Sequence, residues 1–391
     1  MKKSILLLTV FVLIVGAINA QNQQPKELDF FTVQFNSQSA ISGKLRIVQN
    51  ASDEGAAIEF FAYAFDTLIK LLPGVRGSIE TKAADDMALL LAAKLGEAEY
   101  GAAGPNLWKA VDSFTNPLVR AEALNSLGKI QAMDFLPLVV QLLSDLNTEP
   151  GQDPQSRERV AFGAVVALEQ YKDSSGYLPV FFASVGWYSD RVKSRARDAL
   201  PKILDNPTEP LVSVIKSSSY SYAVKYNALQ VLEASQVTSR QKSQGAVAAL
   251  SEGWRNITNV GTQRTILINM RKLSLDMIRR YGTEDANVYP FLERSYREGS
   301  DEQEQISAIA ALAALASDDS ARILSSFLSD MNIRVARGTL TREDERLVRV
   351  IIPALGDTGR PMARNDLRRV LQEDWTGTVQ RLAQDALKKI P

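Results

Sequence analysis

The sequence predicts an all-α protein made of stacked helical hairpins. Three observations lead to this prediction: one helical spacing pattern recurs along the chain, several copies of it are the same distance apart, and the 391 residues include no histidine and no cysteine. A shared period indicates structural repeats, because unrelated helices have no reason to share one. Without cysteine no disulfide can staple the fold, so its stability must come from packing.

The recurring pattern is clearest at Val119, where small or apolar residues follow four, eight and eleven positions further along. These residues, Ala123, Leu127 and Ile130, share one face of a helix with it. Further copies start at Met87 (degenerate), Val160, Val192, Val224, Ile266 (placed by spacing alone), Glu304, Leu347 and Val379. Successive starts are 32, 41, 32, 32, 42, 38, 43 and 32 residues apart, which indicates a 32-residue unit lengthened by insertions.

A shorter apolar segment and a polar turn precede most of these helices. The segments are Leu136–Leu146, Tyr177–Val185, Leu211–Ile215 and Ala321–Leu328. Asn116-Pro117 and Ser189-Asp190 are typical turn sequences, in which Asn or Asp caps the next helix. Each unit is therefore predicted to be a helical hairpin, and a hairpin buries its apolar face by stacking on its neighbours.

The stretch 116–130 resembles the HEAT and HEAT-like repeats of armadillo-type superhelices, through Asn116-Pro117-Leu118-Val119-Arg120 and the apolar positions that follow. The resemblance extends over about residues 80–391 and implies a right-handed α-solenoid of antiparallel helical hairpins. It also implies a ladder between neighbouring units, made by polar turn residues and by basic residues after the valine. The ladder positions are Asn116, Arg120, Asp190, Lys193 and Lys225. Other residue types fill the basic position in four units, so a continuous ladder is not expected.

Residues 1–20 have the pattern of a secretory signal peptide of a bacterial envelope protein. Lys2 and Lys3 precede an apolar run, Ile5–Ile18, which is shorter than a membrane span, and Ala20 fits the cleavage position. An uncleaved anchor is the alternative. The mature chain is therefore predicted to be exported to the periplasm or the extracellular space, and it contains no further apolar stretch of membrane-spanning length.

Residues 21–50 are predicted to form a leader or cap, and residues 51–391 a solenoid of about eight hairpins. The segment Phe30–Phe35 alternates as a short strand would, although an apolar helix or a docked cap fits equally well. The apolar segment Ile58–Leu72 is predicted to be the helix that caps the stack.

The amino-acid composition excludes most of the common kinds of catalytic site. Without histidine or cysteine the chain cannot build a Cys/His zinc site, a haem ligand or a histidine-based triad, and we predict no catalytic, cofactor or metal site. Acidic groups, including Asp301-Glu302 with Glu304, are predicted to be solvated helix starts. The balance of 45 basic and 45 acidic residues gives no reason to expect a nucleic-acid partner.

Two sets of residues are candidates for binding a partner protein. Tyrosine and tryptophan are common interface anchors, and this first set comprises Trp187, Tyr188, Tyr220, Tyr222 and Tyr226. Phe181 and Phe182 are instead predicted to pack between hairpins. The resemblance implies that the repeated helix lines the concave side, and the polar candidates there are Lys129, Arg197, Lys202 and Glu233.

HEAT-type repeats usually serve as protein-binding scaffolds, and the resemblance carries no catalytic residues. The favoured prediction is therefore an exported, non-catalytic scaffold or adaptor that binds an envelope or secreted protein. One alternative is a cell-wall or carbohydrate binder that stacks sugars on the tyrosine and tryptophan residues. A third is a lyase-like enzyme, since short HEAT-like units also occur in proteins that handle bilin chromophores.

Overall fold

The computed structural model describes residues 30–391, and within that range the chain is all-helical. It forms 20 α-helices joined by turns and short 3-10 segments, with no strand among the described residues. The predicted all-α class is confirmed. The predicted signal peptide and its cleavage position lie outside the described residues.

The chain divides into two compact units, one ending at Ile203 and the other spanning Leu204–Pro391. The helices of the first unit are α1 (Phe30–Ser37), α2 (Ile41–Glu54), α3 (Ile58–Leu71), α4 (Ser78–Glu97), α5 (Gly104–Ser113), α6 (Pro117–Lys129), α7 (Leu136–Thr148), α8 (Pro154–Tyr171), α9 (Tyr177–Val185) and α10 (Asp190–Ile203).

The second unit contains ten further helices. They are α11 (Thr208–Lys216), α12 (Tyr222–Ala234), α13 (Ser239–Arg255), α14 (Gly261–Tyr281), α15 (Tyr289–Arg297), α16 (Glu302–Leu315), α17 (Asp318–Ala336), α18 (Arg342–Thr358), α19 (Arg364–Val370) and α20 (Gly377–Lys389).

Both units are built from pairs of helices. In each unit every odd-numbered helix packs on the even-numbered helix that follows it, which gives five pairs per unit. The even-numbered helices also pack on one another in chain order, from α2 to α10 and from α12 to α20. All nine copies of the predicted spacing pattern fall in even-numbered helices. In each unit, the row of even-numbered helices therefore contains the repeated core positions.

The repeated apolar positions form the core of that row. In α6, Val119, Ala123 and Leu127 are at most 1% exposed, and the corresponding positions of α10 are also buried. In α20, Val379 and Ala383 are buried and Leu387 is half-buried. Asn116 caps α6 as predicted, since its side chain accepts a hydrogen bond from the Leu118 N–H. Ser221, which the sequence had not singled out, caps α12 by accepting one from the Val224 N–H.

The segment from Phe30 is a helix, so the strand interpretation of Phe30–Phe35 is wrong and the helix alternative is confirmed. Thr32 and Phe35 are its buried residues, three positions apart as on a helix face. A further helix, α2, begins within the predicted leader and ends four residues beyond it, at Glu54. Residues 30–391 form ten helix pairs, whereas the sequence indicated about eight hairpins over residues 51–391.

Candidate partner-binding groove

A groove crosses the starts of three successive even-numbered helices of the first unit, α6, α8 and α10. We call it the helix-start groove. Its volume is about 530 Å³, and it is lined by Leu118, Ala121, Gln155, Glu158, Arg159, Phe162, Ser189, Arg191 and Val192.

Capping and close packing bring these side chains together. Leu118, Gln155 and Arg191 are each the second residue of their helix, and all three are exposed. The helices lie close because Gly163 of α8 faces the backbone of Ala121 in α6. A Cβ atom at Gly163 would stand 2.7 Å from the Ala121 Cα and carbonyl oxygen. The groove thus follows from helix starts held in one row.

The groove has two exposed guanidinium groups and a carboxylate that is already engaged. Arg159 has no hydrogen-bond or ion-pair partner among residues 30–391, and the Arg191 guanidinium lies 5.0 Å from the centre of the Phe162 ring. Glu158 Oε1 accepts a hydrogen bond from the Ser189 N–H. The N–H groups at three helix starts add partial positive charge.

The aromatic candidates of the first unit are largely packed. Tyr188 is 2% exposed, and burial raises the pKa of its hydroxyl, so it cannot act as a surface anchor. The Trp187 ring lies 4.2 Å from the Tyr188 ring, and its Nε1–H donates to the Leu146 carbonyl oxygen at 3.1 Å. The turn that joins α9 to α10 uses both rings for packing, which the sequence could not show. Phe181 is fully buried, as predicted, and Phe182 is half-buried.

The tyrosine candidates Tyr220, Tyr222 and Tyr226 belong to the second unit, at the start of α12 and just before it. All three are half-buried. Lys225, between the last two, is 3% exposed and forms an ion pair with Glu252.

The polar candidates mostly contact neighbouring helices. Lys202 forms an ion pair with Glu169 of α8 at 2.7 Å, and Glu233 forms one with Arg280 of α14 at 2.9 Å. Arg197 is exposed, with one long hydrogen bond of 3.5 Å to the Ser184 carbonyl oxygen. Lys129 borders a second cavity, of about 510 Å³, at the carboxyl ends of α4, α6 and α8.

Among the ladder positions, three side chains make the contacts that link the helices. Asn116 Nδ2 donates to Asp85 Oδ2 of α4 at 3.0 Å, Arg120 Nε donates to the Val111 carbonyl oxygen at 2.7 Å, and Lys225 Nζ lies 2.7 Å from Glu252 Oε2. The side chains of Asp190 and Lys193 make no hydrogen bond or ion pair within the described part of the chain.

Glu304 corrects the prediction that the acidic groups are solvated helix starts. It is fully buried, and its carboxylate accepts from Arg271 Nε at 2.5 Å and from Arg271 Nη2 at 3.1 Å. Arg271 also lies 4.2 Å from the centre of the Trp254 ring. Asp301 agrees with the prediction, because its side chain caps α16.

No group of three or more acidic, histidine or cysteine residues within 30–391 is arranged to hold a metal ion. Over the same residues, no helix combines the length and apolar character needed to cross a membrane.

Comparison with known protein families gives no match, and comparison with curated proteins gives none either. Among solved structures, the chain is similar to an engineered protein determined by the Northeast Structural Genomics Consortium. The two share 16% sequence identity over 91% of this chain and 97% of that one, with a TM-score of 0.32. That likeness is too weak to carry an argument about fold or function.

Proposed function

We propose that this protein is an exported, non-catalytic scaffold, built as a right-handed HEAT-like α-solenoid, that binds another envelope or secreted protein. The pairing of odd-numbered with even-numbered helices and the continuous even-numbered row in each unit support the solenoid. The signal-peptide pattern of residues 1–20 supports export.

The helix-start groove is the observation that carries the binding proposal. It presents an exposed leucine, a half-buried phenylalanine and two exposed arginines across three helices. Arginine and aromatic side chains are enriched at protein interfaces, and a surface of this kind suits an extended or helical segment of a partner.

The wall-binding alternative loses part of its support. It required sugar-stacking faces on Trp187 and Tyr188, and the structure packs these two rings against each other.

Affinity purification of the tagged mature chain from envelope extracts tests the scaffold function, and Leu118→Glu is the decisive variant. Leu118 is 47% exposed in the groove, so a charge there should abolish capture of the partner without affecting the fold. Leu138→Glu is the matched control, because Leu138 is 42% exposed on α7 and does not line the groove.

We expect the same partner with the unmodified chain and with Leu138→Glu, and its loss with Leu118→Glu. Circular dichroism spectra should be alike for the three proteins. Failure to recover any specific partner would count against the scaffold function, and full retention of the partner by Leu118→Glu would show that the groove is not the binding surface.

A further inference from the structure

We infer that the segment bound in the helix-start groove is acidic at one end and apolar at the other. This inference rests on the scaffold function and names the chemistry of the partner. It follows from how charge and apolar surface are distributed along the groove.

Positive charge gathers on the α8 and α10 side of the groove. Arg159 and Arg191 are both exposed there, and Arg159 has no ion-pair partner within residues 30–391. Of the nearby carboxylates, Glu158 accepts from the Ser189 N–H, and Asp153 caps α8 through the Ser156 N–H. Hydrogen bonds from the Ser156 hydroxyl and N–H hold the pKa of Asp153 below its ordinary value. A carboxylate of the partner would therefore find two exposed guanidinium groups in a lining that contains one acid, Glu158, while the unpaired carboxylate of Asp190, next to Arg191, is not part of that lining.

This local charge differs from that of the whole chain, which has 45 basic and 45 acidic residues. The attraction for acidic segments therefore belongs to the groove and not to the net charge. Because the two arginines are exposed, salt should weaken this attraction.

Apolar surface gathers on the α6 side. Leu118 and Ala121 of α6 line the groove together with Phe162 of α8. Ile79, 76% exposed, holds the same second position in α4, the helix that packs against α6. An apolar side chain of the partner can be buried here, next to the site that receives its acidic residues.

The length of the segment follows from helix spacing. Packed helices lie about 8–10 Å apart, so the distance from α6 to α10 across α8 is roughly 16–20 Å. An extended peptide rises about 3.3 Å per residue, so about five or six residues would cross the groove, and a segment of about eight residues is long enough.

The test uses the full mature chain and a fluorescein-labelled peptide of eight residues in which two leucines precede four glutamates. Binding is followed by fluorescence anisotropy. We expect the variant Arg159→Glu with Arg191→Glu to bind this probe at least tenfold more weakly. The matched control, Arg342→Glu with Arg381→Glu, changes the net charge equally at two exposed arginines of the second unit, and should stay within about twofold of the unmodified chain.

A second peptide, with four lysines in place of the glutamates, should bind the groove double variant more tightly than it binds the unmodified chain. The inference is overturned if the glutamate probe does not bind the unmodified chain at concentrations up to about 1 mM. Equal binding of the two probes to the unmodified chain, or an unchanged affinity in the groove variant, would overturn it as well.

Failure of this inference can be told from failure of the scaffold function. If the probe does not bind but a captured partner is still lost with Leu118→Glu, the scaffold function stands and the acidic chemistry is wrong. If the probe binds with the expected dependence but no partner is captured, the groove chemistry stands and the scaffold function fails.

Discussion

Lys225 is held inside the second unit by an ion pair between two helices. Its side chain is 3% exposed, and Nζ lies 2.7 Å from Glu252 Oε2. Asn256 Nδ2 donates to the same carboxylate oxygen at 3.1 Å, so the Glu252 side chain is well satisfied. A buried charge that loses its partner is strongly destabilising, whereas an exposed pair contributes little.

Replacing Lys225 by Met should therefore lower the free energy of unfolding by about 3 kcal/mol, because the buried Glu252 side chain loses the ammonium group and retains only Asn256 and the more distant Arg255. Lys202→Met is the control, since Lys202 is 55% exposed in its pair with Glu169, and it should cost less than about 1 kcal/mol. Urea unfolding measures both. Similar losses for the two variants would show that burial does not govern the strength of these pairs.

The sequence predicted Lys225 as a basic ladder residue but could not identify Glu252. The two residues are 27 positions apart, and only the packing of α12 on α13 brings them together. The pair of Arg271 with Glu304 was missed for the same reason. An acid in a first helical turn looks solvated in sequence, and only the position of α14 buries it.

Near the groove, glycines allow the backbones of α6 and α8 to pack closely against each other. Gly163 of α8 faces the Ala121 backbone, and Gly128 of α6 faces the Ala167 backbone, where a Cβ atom would stand 2.8 Å from the Ala167 Cα. Two reciprocal glycines thus hold this pair of helices together. The helices could be located from their apolar spacing, but which glycines form contacts could not, because spacing alone does not fix the crossing point.

Gly163→Ala should lower the free energy of unfolding by about 1–3 kcal/mol, although alanine favours a helix by about 1 kcal/mol over glycine. The added methyl group meets backbone atoms that cannot move aside as a flexible side chain would. Gly101→Ala is the control, with no atom within 4 Å of its added Cβ, and should change stability by less than about 0.5 kcal/mol. A stabilised Gly163→Ala protein would contradict the close approach.

The lack of histidine leaves the chain without a side chain that ordinarily titrates near neutral pH. Most of the resolved pKa shifts move other groups further from neutral pH; Lys44, Arg120 and Asp366 shift the other way. Serine hydroxyls and nearby N–H groups donate to the carboxylates of Glu80, Asp153 and Asp173 and keep their pKa values below the ordinary range. Burial raises the pKa of Tyr296 to about 12.

The thermal unfolding midpoint should consequently be nearly constant between about pH 6 and 8 and should fall as the pH drops below about 5. A carboxyl whose pKa is lower in the folded state binds protons more readily when unfolded, so acid favours unfolding. Asp366, whose pKa is raised by burial, acts in the opposite direction but is a single group among the shifted carboxyls. A midpoint that moved strongly between pH 6 and 8 would contradict this expectation. Differential scanning calorimetry across the pH range provides the measurement.

From α4 to α10, the second residue of each even-numbered helix lies at the surface and outside the core. Ile79, Leu118, Gln155 and Arg191 occupy this place in α4, α6, α8 and α10, and all four are exposed. Each of these helices thus has one exposed position that can be replaced independently of the others. We expect single substitutions at these positions to leave the stability of the fold nearly unchanged. Descendants or designed variants of this chain could acquire new binding preferences by exchanging single residues while the buried repeat remains the same.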